Sequence, residues 1–224
     1  MKPRAILFDL DATLTDRRAS FAKYAGEFHA YFGPRLNGAD LDSVVETIWH
    51  AAEGGGWRGM DEIFADLASN LPWQSPVDQS ILVEHWYNIY PGSAVGRQEM
   101  VTTLDALRSE SFLLGLITNG RTAVQQPKIT AMALSRWLDP ILISEAAGME
   151  KPDERIFAMA LETLGVTASE TWFVGDHPYF DMEGARLVGM TGVWVHNGQV
   201  WPEEQEPPAH QIDALTDLLG LLQI

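Results

Sequence analysis

Two aspartates separated by one residue, Asp9 and Asp11, close an apolar run, Ala5-Ile6-Leu7-Phe8, near the start of this 224-residue chain. Three more polar clusters follow at intervals: Thr118-Asn119, Lys151, and Asp176 with Asp181. Carboxylates can bind a hard cation, attack an electrophile or carry a proton, and a lysine or hydroxyl can hold an anion. Taken singly, each cluster has an ordinary explanation. Asp and Thr are common turn residues, Thr-Asn-Gly is a common turn, Lys-Pro-Asp a common helix start and Gly-Asp a common loop. Their positions carry more than their identities do. The first run suits a buried parallel strand and is too short for a helix. Carboxylates that end such a strand stand at the carboxyl edge of a sheet, where open α/β sheets bind ligands.

The pattern around these clusters supplies such a sheet. Apolar segments that read as strands cover Arg4 to Phe8, Phe112 to Ile117, Pro140 to Ile143, Thr171 to Val174 and Gly192 to His196. Helical spacing fits Gln98 to Ser109, about Gln126 to Leu134 with Pro127 in its first turn, a stretch opened by the loop Glu150-Lys151-Pro152-Asp153 and reaching about Leu164, about Asp181 to Val188, and Ala214 to Leu222. Strands alternating with helices of this length mean βαβ units and a parallel sheet. Between residues 16 and 91 no strand pattern appears. Helical spacing there fits Arg17 to Phe32, Leu41 to Ala52, Met60 to Leu71 and Val77 to Tyr90, interrupted by Gly54-Gly55-Gly56 and by Pro72 to Pro76. The expected architecture is a doubly wound, Rossmann-like α/β core over residues 1–15 and 92–224, with an all-helical insertion over 16–91. If its strands run parallel, all four polar clusters converge on one edge.

In this order the clusters resemble the haloacid dehalogenase-like (HAD) hydrolase superfamily, and the resemblance covers the whole chain. Asp9-Leu10-Asp11-Ala12-Thr13 matches its Asp-x-Asp-x-Thr motif, and Leu116-Ile117-Thr118-Asn119-Gly120 matches the strand that ends in Thr or Ser. Lys151-Pro152 matches the third motif, and Gly175-Asp176 with Asp181 the fourth. The helical insertion falls at the family's commonest cap position, C1. Gly175-Asp176-His177-Pro178 and Val193-Trp194-Val195 are similar to a subgroup of nucleotide and sugar-phosphate phosphatases. Ala12 departs mildly, since glycine or a polar residue is frequent there.

The resemblance implies a Mg²⁺-dependent hydrolase of small phosphate monoesters that passes through an aspartyl phosphate. Asp9 is then nucleophile and metal ligand, and Asp176 a second ligand. Asp181 is a ligand or an anchor for metal-bound water. Asp11 offers its backbone carbonyl to the metal and its side chain as general acid, then base. Thr118, Asn119 and Lys151 hold the phosphate, and Lys151 neutralises charge on the transferring group. Hard oxygen ligands without cysteine or clustered histidine suit Mg²⁺. Four carboxylates against one lysine leave a deficit that a divalent cation reduces. Trp57 and Arg58, after three glycines, and Arg17 at the entry to the insertion are candidate substrate-specificity residues. Each is equally well read as packing or an ordinary turn. His177 more simply shapes the loop beside Pro178.

Composition narrows the field. Zero cysteines exclude disulfides, thiolate metal sites and a cysteine nucleophile. A net charge of −16 argues against a nucleic acid polymer as partner. No stretch approaches the roughly 18 consecutive apolar residues of a membrane span, and no signal-peptide pattern opens the chain, so a cytoplasmic location is expected. The partner expected is a small phosphorylated metabolite. A dehalogenase or phosphomutase on the same fold is the alternative, as is a binding protein descended from an enzyme. Asp11 together with Asp176 counts against the dehalogenase, and the binding protein would normally have lost a catalytic residue.

Overall fold

The structure, a computed structural model, describes residues 2–53 and 59–224. Strand β1 (Ala5–Phe8) leads to four helices, α1 (Arg17–Phe32), α2 (Leu41–Glu53), α3 (Met60–Asn70) and α4 (Gln79–Ile89). The chain continues through α5 (Met100–Ser109), β2 (Leu113–Thr118), α6 (Thr122–Ala131), β3 (Ile141–Ile143), α7 (Ser144–Ala147) and α8 (Glu154–Leu164). Then come β4 (Thr171–Gly175), a π-helical turn (Pro178–Glu183), α9 (Gly184–Val188), β5 (Thr191–Val195), β6 (His210–Ile212) and α10 (Asp217–Leu222). The chain divides into two units, Met1–Asp16 with Gly96–Ile224, and Arg17–Val95. Among the described residues, no helix is long and apolar enough to cross a membrane.

In the first unit, six parallel strands stand in the order β3-β2-β1-β4-β5-β6. All four residues of β1 are buried, because the sheet is covered on both faces. The strand period of two divides the core. Ile6, Phe8, Leu116, Val174 and Val193 join Leu104, Leu107 and Leu218 from α5 and α10 on one face. Leu7, Ile117, Phe173 and Trp194 join Ile156, Phe157 and Ala185 from α8 and α9 on the other. The strand order reverses between β1 and β4, and a doubly wound sheet opens its ligand crevice at such a point. Asp9 extends that junction, its N–H donating to Val174 O at 2.9 Å.

The second unit is held by aromatic residues at helical spacing along α1. Phe21, Tyr24, Phe28 and Phe32 are buried with Phe64 of α3 and Trp86 of α4. Trp86 stacks on Tyr90 with centroids 3.7 Å apart. The unit runs on to Val95, beyond the expected residue 91, because the segment after Tyr90 is bound to α1. Tyr90–Ser93 forms a short 3-10 turn tied to α1, with Lys23 Nζ donating to Gly92 O at 3.1 Å and Val95 N to Ser20 Oγ at 2.9 Å.

The core differs from expectation at several points. A sixth strand, β6, pairs with β5, and α7 follows β3. Helix α6 begins four residues before the expected Gln126, at Thr122, and Pro127 lies in its interior. The Glu145 carboxylate accepts from Thr122 N at 2.7 Å and so caps the earlier start. After Asp176 the chain first makes the π-helical turn, and α9 begins only at Gly184.

Candidate active site

Asp9 stands at the β1 edge, buried, with Lys151 Nζ donating to its Oδ1 at 2.6 Å. The same ammonium donates to Asp181 Oδ1 at 2.7 Å. Lys151 is itself buried, and its main chain is fixed by Asn119. Lys151 N donates to Asn119 Oδ1 at 2.8 Å, and Asn119 Nδ2 donates to Lys151 O at 2.9 Å. The Asn119 side chain is therefore engaged at both ends in holding the lysine loop. That leaves the backbone N–H as the group that Asn119 can offer a phosphate oxygen.

The loop after β4 contributes two more buried carboxylates. Asp181 Oδ2 accepts from His177 N at 2.9 Å. A methyl group at Gly175 would strike the Asp181 carboxylate, so only glycine fits beneath it. His177 shapes this loop: its Nδ1 accepts from Tyr179 N at 3.1 Å and Phe180 N at 3.2 Å. Burial lowers its pKa, against the opposing charge of Asp181. Trp194 Nε1 donates to Asp176 O at 2.7 Å. Asp176 Oδ2, in contrast, is buried without a hydrogen-bond partner.

Asp9, Asp176 and Asp181 can each offer one carboxylate oxygen to a set whose atoms lie within 4.8 Å of one another. Burial pushes the Asp9 carboxyl up to about 7, with Asp181 and Asp11 adding to the rise and Lys151 opposing it. Burial also raises Asp176 well above the usual carboxylate range, reinforced by the charges of Asp9 and Asp181. Burial disfavours the Lys151 ammonium, but Asp181 and Asp9 more than offset this and its pKa rises. Three buried carboxylates with one orphaned oxygen form a hard-donor set, and a divalent cation fits it.

The Asp11 side chain turns elsewhere, to two residues that the sequence reading missed. Lys128 Nζ donates to its Oδ1 and Oδ2 at 2.7 and 2.8 Å, and Gln125 Nε2 to Oδ2 at 2.9 Å. Gln125 Nε2 also reaches Thr118 Oγ1 at 2.6 Å and Asn119 O at 3.2 Å. Gln125 and Lys128 share one face of α6 at i, i+3 spacing. With the helix expected to begin at Gln126, Gln125 fell in the preceding loop and the pair went unseen. A polar i, i+3 pair just after a Thr-Asn-Gly turn was the available signal.

The turn that carries Asp11 is tightly tied. Ala12 adopts φ 59°, a left-handed conformation that costs a residue with a Cβ about 1–2 kcal/mol. Its N–H donates to Thr15 Oγ1 at 2.9 Å, and its carbonyl accepts from Arg97 Nη2 at 2.7 Å and Asn197 Nδ2 at 2.9 Å. Arg97 Nε also donates to Thr13 O at 2.8 Å, and Arg97 pairs directly with Asn197. The departure at Ala12 is accommodated by this clamp.

Of the remaining candidates, Arg17 lies in the helical unit. Its Nη2 donates to Ala52 O at 3.5 Å, and its guanidinium sits 5.6 Å from the Phe21 ring centroid. Trp57 and Arg58 lie outside the described residues.

A family model described as haloacid dehalogenase-like hydrolase matches residues 6–195. Phosphoserine phosphatase of Thermus thermophilus is 38% identical over 120 residues, which cover 54% of this chain and 45% of that protein. Pyrimidine 5'-nucleotidase YjjG of Escherichia coli is 32% identical over 232 residues, 99% of each chain. The chain spans about half the length of the first curated relatives it matches, named phosphoserine phosphatase and glyceraldehyde 3-phosphate phosphatase. Among solved structures, the HAD hydrolase YfnB of Bacillus subtilis, bound to magnesium, aligns with a TM-score of 0.77 over 100% of both chains. At 23% identity that likeness shows the fold alone.

Proposed function

The chain belongs to the haloacid dehalogenase-like hydrolase family, and from that premise we propose that it is a Mg²⁺-dependent phosphatase. Its substrates are small phosphate monoesters of nucleotide or sugar-phosphate type, and the reaction passes through an aspartyl phosphate on Asp9. The observation that carries this reading is the buried Asp9, Asp176 and Asp181 cluster, with Asp176 Oδ2 unpartnered and Lys151 bridging Asp9 and Asp181. The names of several relatives, phosphatases and a nucleotidase, support it, while another relative is named (S)-2-haloacid dehalogenase 4A.

Asp9, Asp176 and Asp181 would hold the cation, with the Asp11 carbonyl as a further ligand. Four carboxylates here face two lysines, since Lys128 joins Lys151, and two negative charges remain. A bound divalent cation would supply the positive charge that lets an anionic substrate approach a carboxylate nucleophile. Asp9 attacks phosphorus and the ester oxygen departs with a proton from Asp11. Asp11 then takes a proton from the water that hydrolyses the aspartyl phosphate. The Thr118 hydroxyl accepts from Gln125, so its own hydrogen is available to a phosphate oxygen. Lys151 neutralises charge on the transferring group. In this reading the helical unit acts as a cap that selects the substrate, with Arg17, Trp57 and Arg58 as candidate contacts.

Hydrolysis of p-nitrophenyl phosphate with and without Mg²⁺ tests the proposal. Activity that is lost in EDTA, restored by Mg²⁺ and absent from Asp9→Asn is the expected result. Undiminished turnover after chelation, or halide release from a 2-haloacid without phosphatase activity, would overturn it.

A further inference from the structure

Lysine is seldom fully buried unless it is paired. Lys128 is nearly so, with 6% of its side chain exposed, yet it is paired to a carboxylate that is 44% exposed. An ion pair with a carboxylate this exposed is screened by solvent and adds little to the stability of the fold. Lys128 does act on Asp11. One ammonium contacts both carboxylate oxygens, at 2.7 and 2.8 Å, and the neighbouring Gln125 amide contacts Oδ2 at 2.9 Å. Donors on both oxygens restrict rotation of the carboxylate plane. Gln125 then ties that carboxylate to Thr118 Oγ1, at 2.6 Å, through the same nitrogen. The anchor is rigid for a local reason: α6 starts directly after the β2 edge, and its first turn is capped by Glu145.

We propose that Lys128 is a positioning residue for Asp11, fixing the carboxylate that exchanges protons with leaving group and water, while Gln125 couples it to the Thr118 hydroxyl. The role rests on the phosphatase reading above, in which Asp11 is the acid and base. Lys128 acts through Asp11 and does not itself carry the transferring phosphoryl group. Its loss should therefore matter most where the leaving oxygen needs a proton.

The test compares Lys128→Met, Lys128→Arg, Asp11→Asn and the double variant Asp11→Asn/Lys128→Met with the parent protein in Mg²⁺. For kcat/KM, Lys128→Met should lose at least about tenfold on glycerol 2-phosphate and far less on p-nitrophenyl phosphate, within the roughly 10²–10⁴-fold that acid–base assistance supplies. Lys128→Arg should recover most of that loss. In the Asp11→Asn background, Lys128→Met should add nothing, because the residues act as one unit. Equal losses on both substrates, or a full further loss in the Asp11→Asn background, would overturn the assignment and put Lys128 on the phosphoryl group or in the fold. A second readout needs no turnover. The carboxyl carbon resonance of Asp11, identified by its absence from Asp11→Asn, should move in Lys128→Met and return toward the parent position in Lys128→Arg. An unmoved resonance overturns the assignment even if the parent hydrolyses neither ester, a result that would by itself refute the phosphatase reading.

Discussion

Asp9→Asn is predicted to stabilise the metal-free protein at alkaline pH. Burial is the main reason that the Asp9 carboxyl rises from 3.8 to about 7; Asp181 and Asp11 add to the rise and Lys151 opposes it. With its folded pKa above the unfolded value, Asp9 keeps in the folded chain a proton that the unfolded chain releases. Its contribution to stability is complete below about pH 4 and is lost as pH rises through about 7. Roughly three decades of proton affinity, at about 1.36 kcal/mol each, set an upper bound of about 4 kcal/mol. Structural relaxation and water entry reduce it to about 2–4 kcal/mol. Asparagine has the shape of the neutral acid and no charge to bury, and Lys151 retains Asp181 at 2.7 Å. Urea unfolding in EDTA measures the difference. At about pH 8 the variant should exceed the parent by that amount, roughly 4–16 °C in Tm for a chain of this size. The gap should close toward about pH 4. A variant no more stable than the parent at pH 8, or a gap that widens on acidification, would refute the reasoning.

Gly175→Ala should destabilise the core by about 1–3 kcal/mol, because its methyl group meets the Asp181 carboxylate and overpacking costs of this order are typical. It should also shrink the rise in Tm that Mg²⁺ produces, and calorimetry with and without Mg²⁺ showing neither change would count against the packing argument. Mg²⁺ itself should raise the parent's Tm more at about pH 8 than at about pH 5.5, since ligands must be deprotonated to bind. Asp9 and Asp176 both hold protons above the usual carboxylate range. Equal rises in matched buffers would remove them as ligands.

Helix α1 was legible to its ends in the sequence. Its aromatic residues recur at helical spacing between Asp16 and the Gly33-Pro34 break, and all of Phe21, Tyr24, Phe28 and Phe32 are buried. Strand β1 was legible because both its faces are covered, which leaves an unbroken apolar run. Edge strand β6 was not, since only Ile212 of His210–Ile212 is buried and a strand so short shows no period. The positions of Asp9, Thr118 and Asp176 at one sheet edge follow from parallel strands alone, whereas Lys151 reaches it from the loop after α7. The contacts among these residues do not follow. Nothing in the spacing of Asn119 and Lys151 announces a reciprocal side-chain to main-chain pair across 32 residues. The Gln125–Lys128 pair was hidden because Pro127 pushed the expected start of α6 to Gln126, which left Gln125 outside the helix.

The claim on which the rest depends is that Asp9 becomes covalently phosphorylated. Acid-quenching the protein during turnover of a phosphate-labelled ester in Mg²⁺, then digesting and sequencing it by mass spectrometry, tests this directly. The label should lie on the peptide that contains Asp9 and Asp11, with fragmentation assigning it to Asp9. Asp9→Asn should carry none, and Asp11→Asn should accumulate it. Turnover without any labelled peptide, or a label on Asp11 or elsewhere in the chain, would contradict the account.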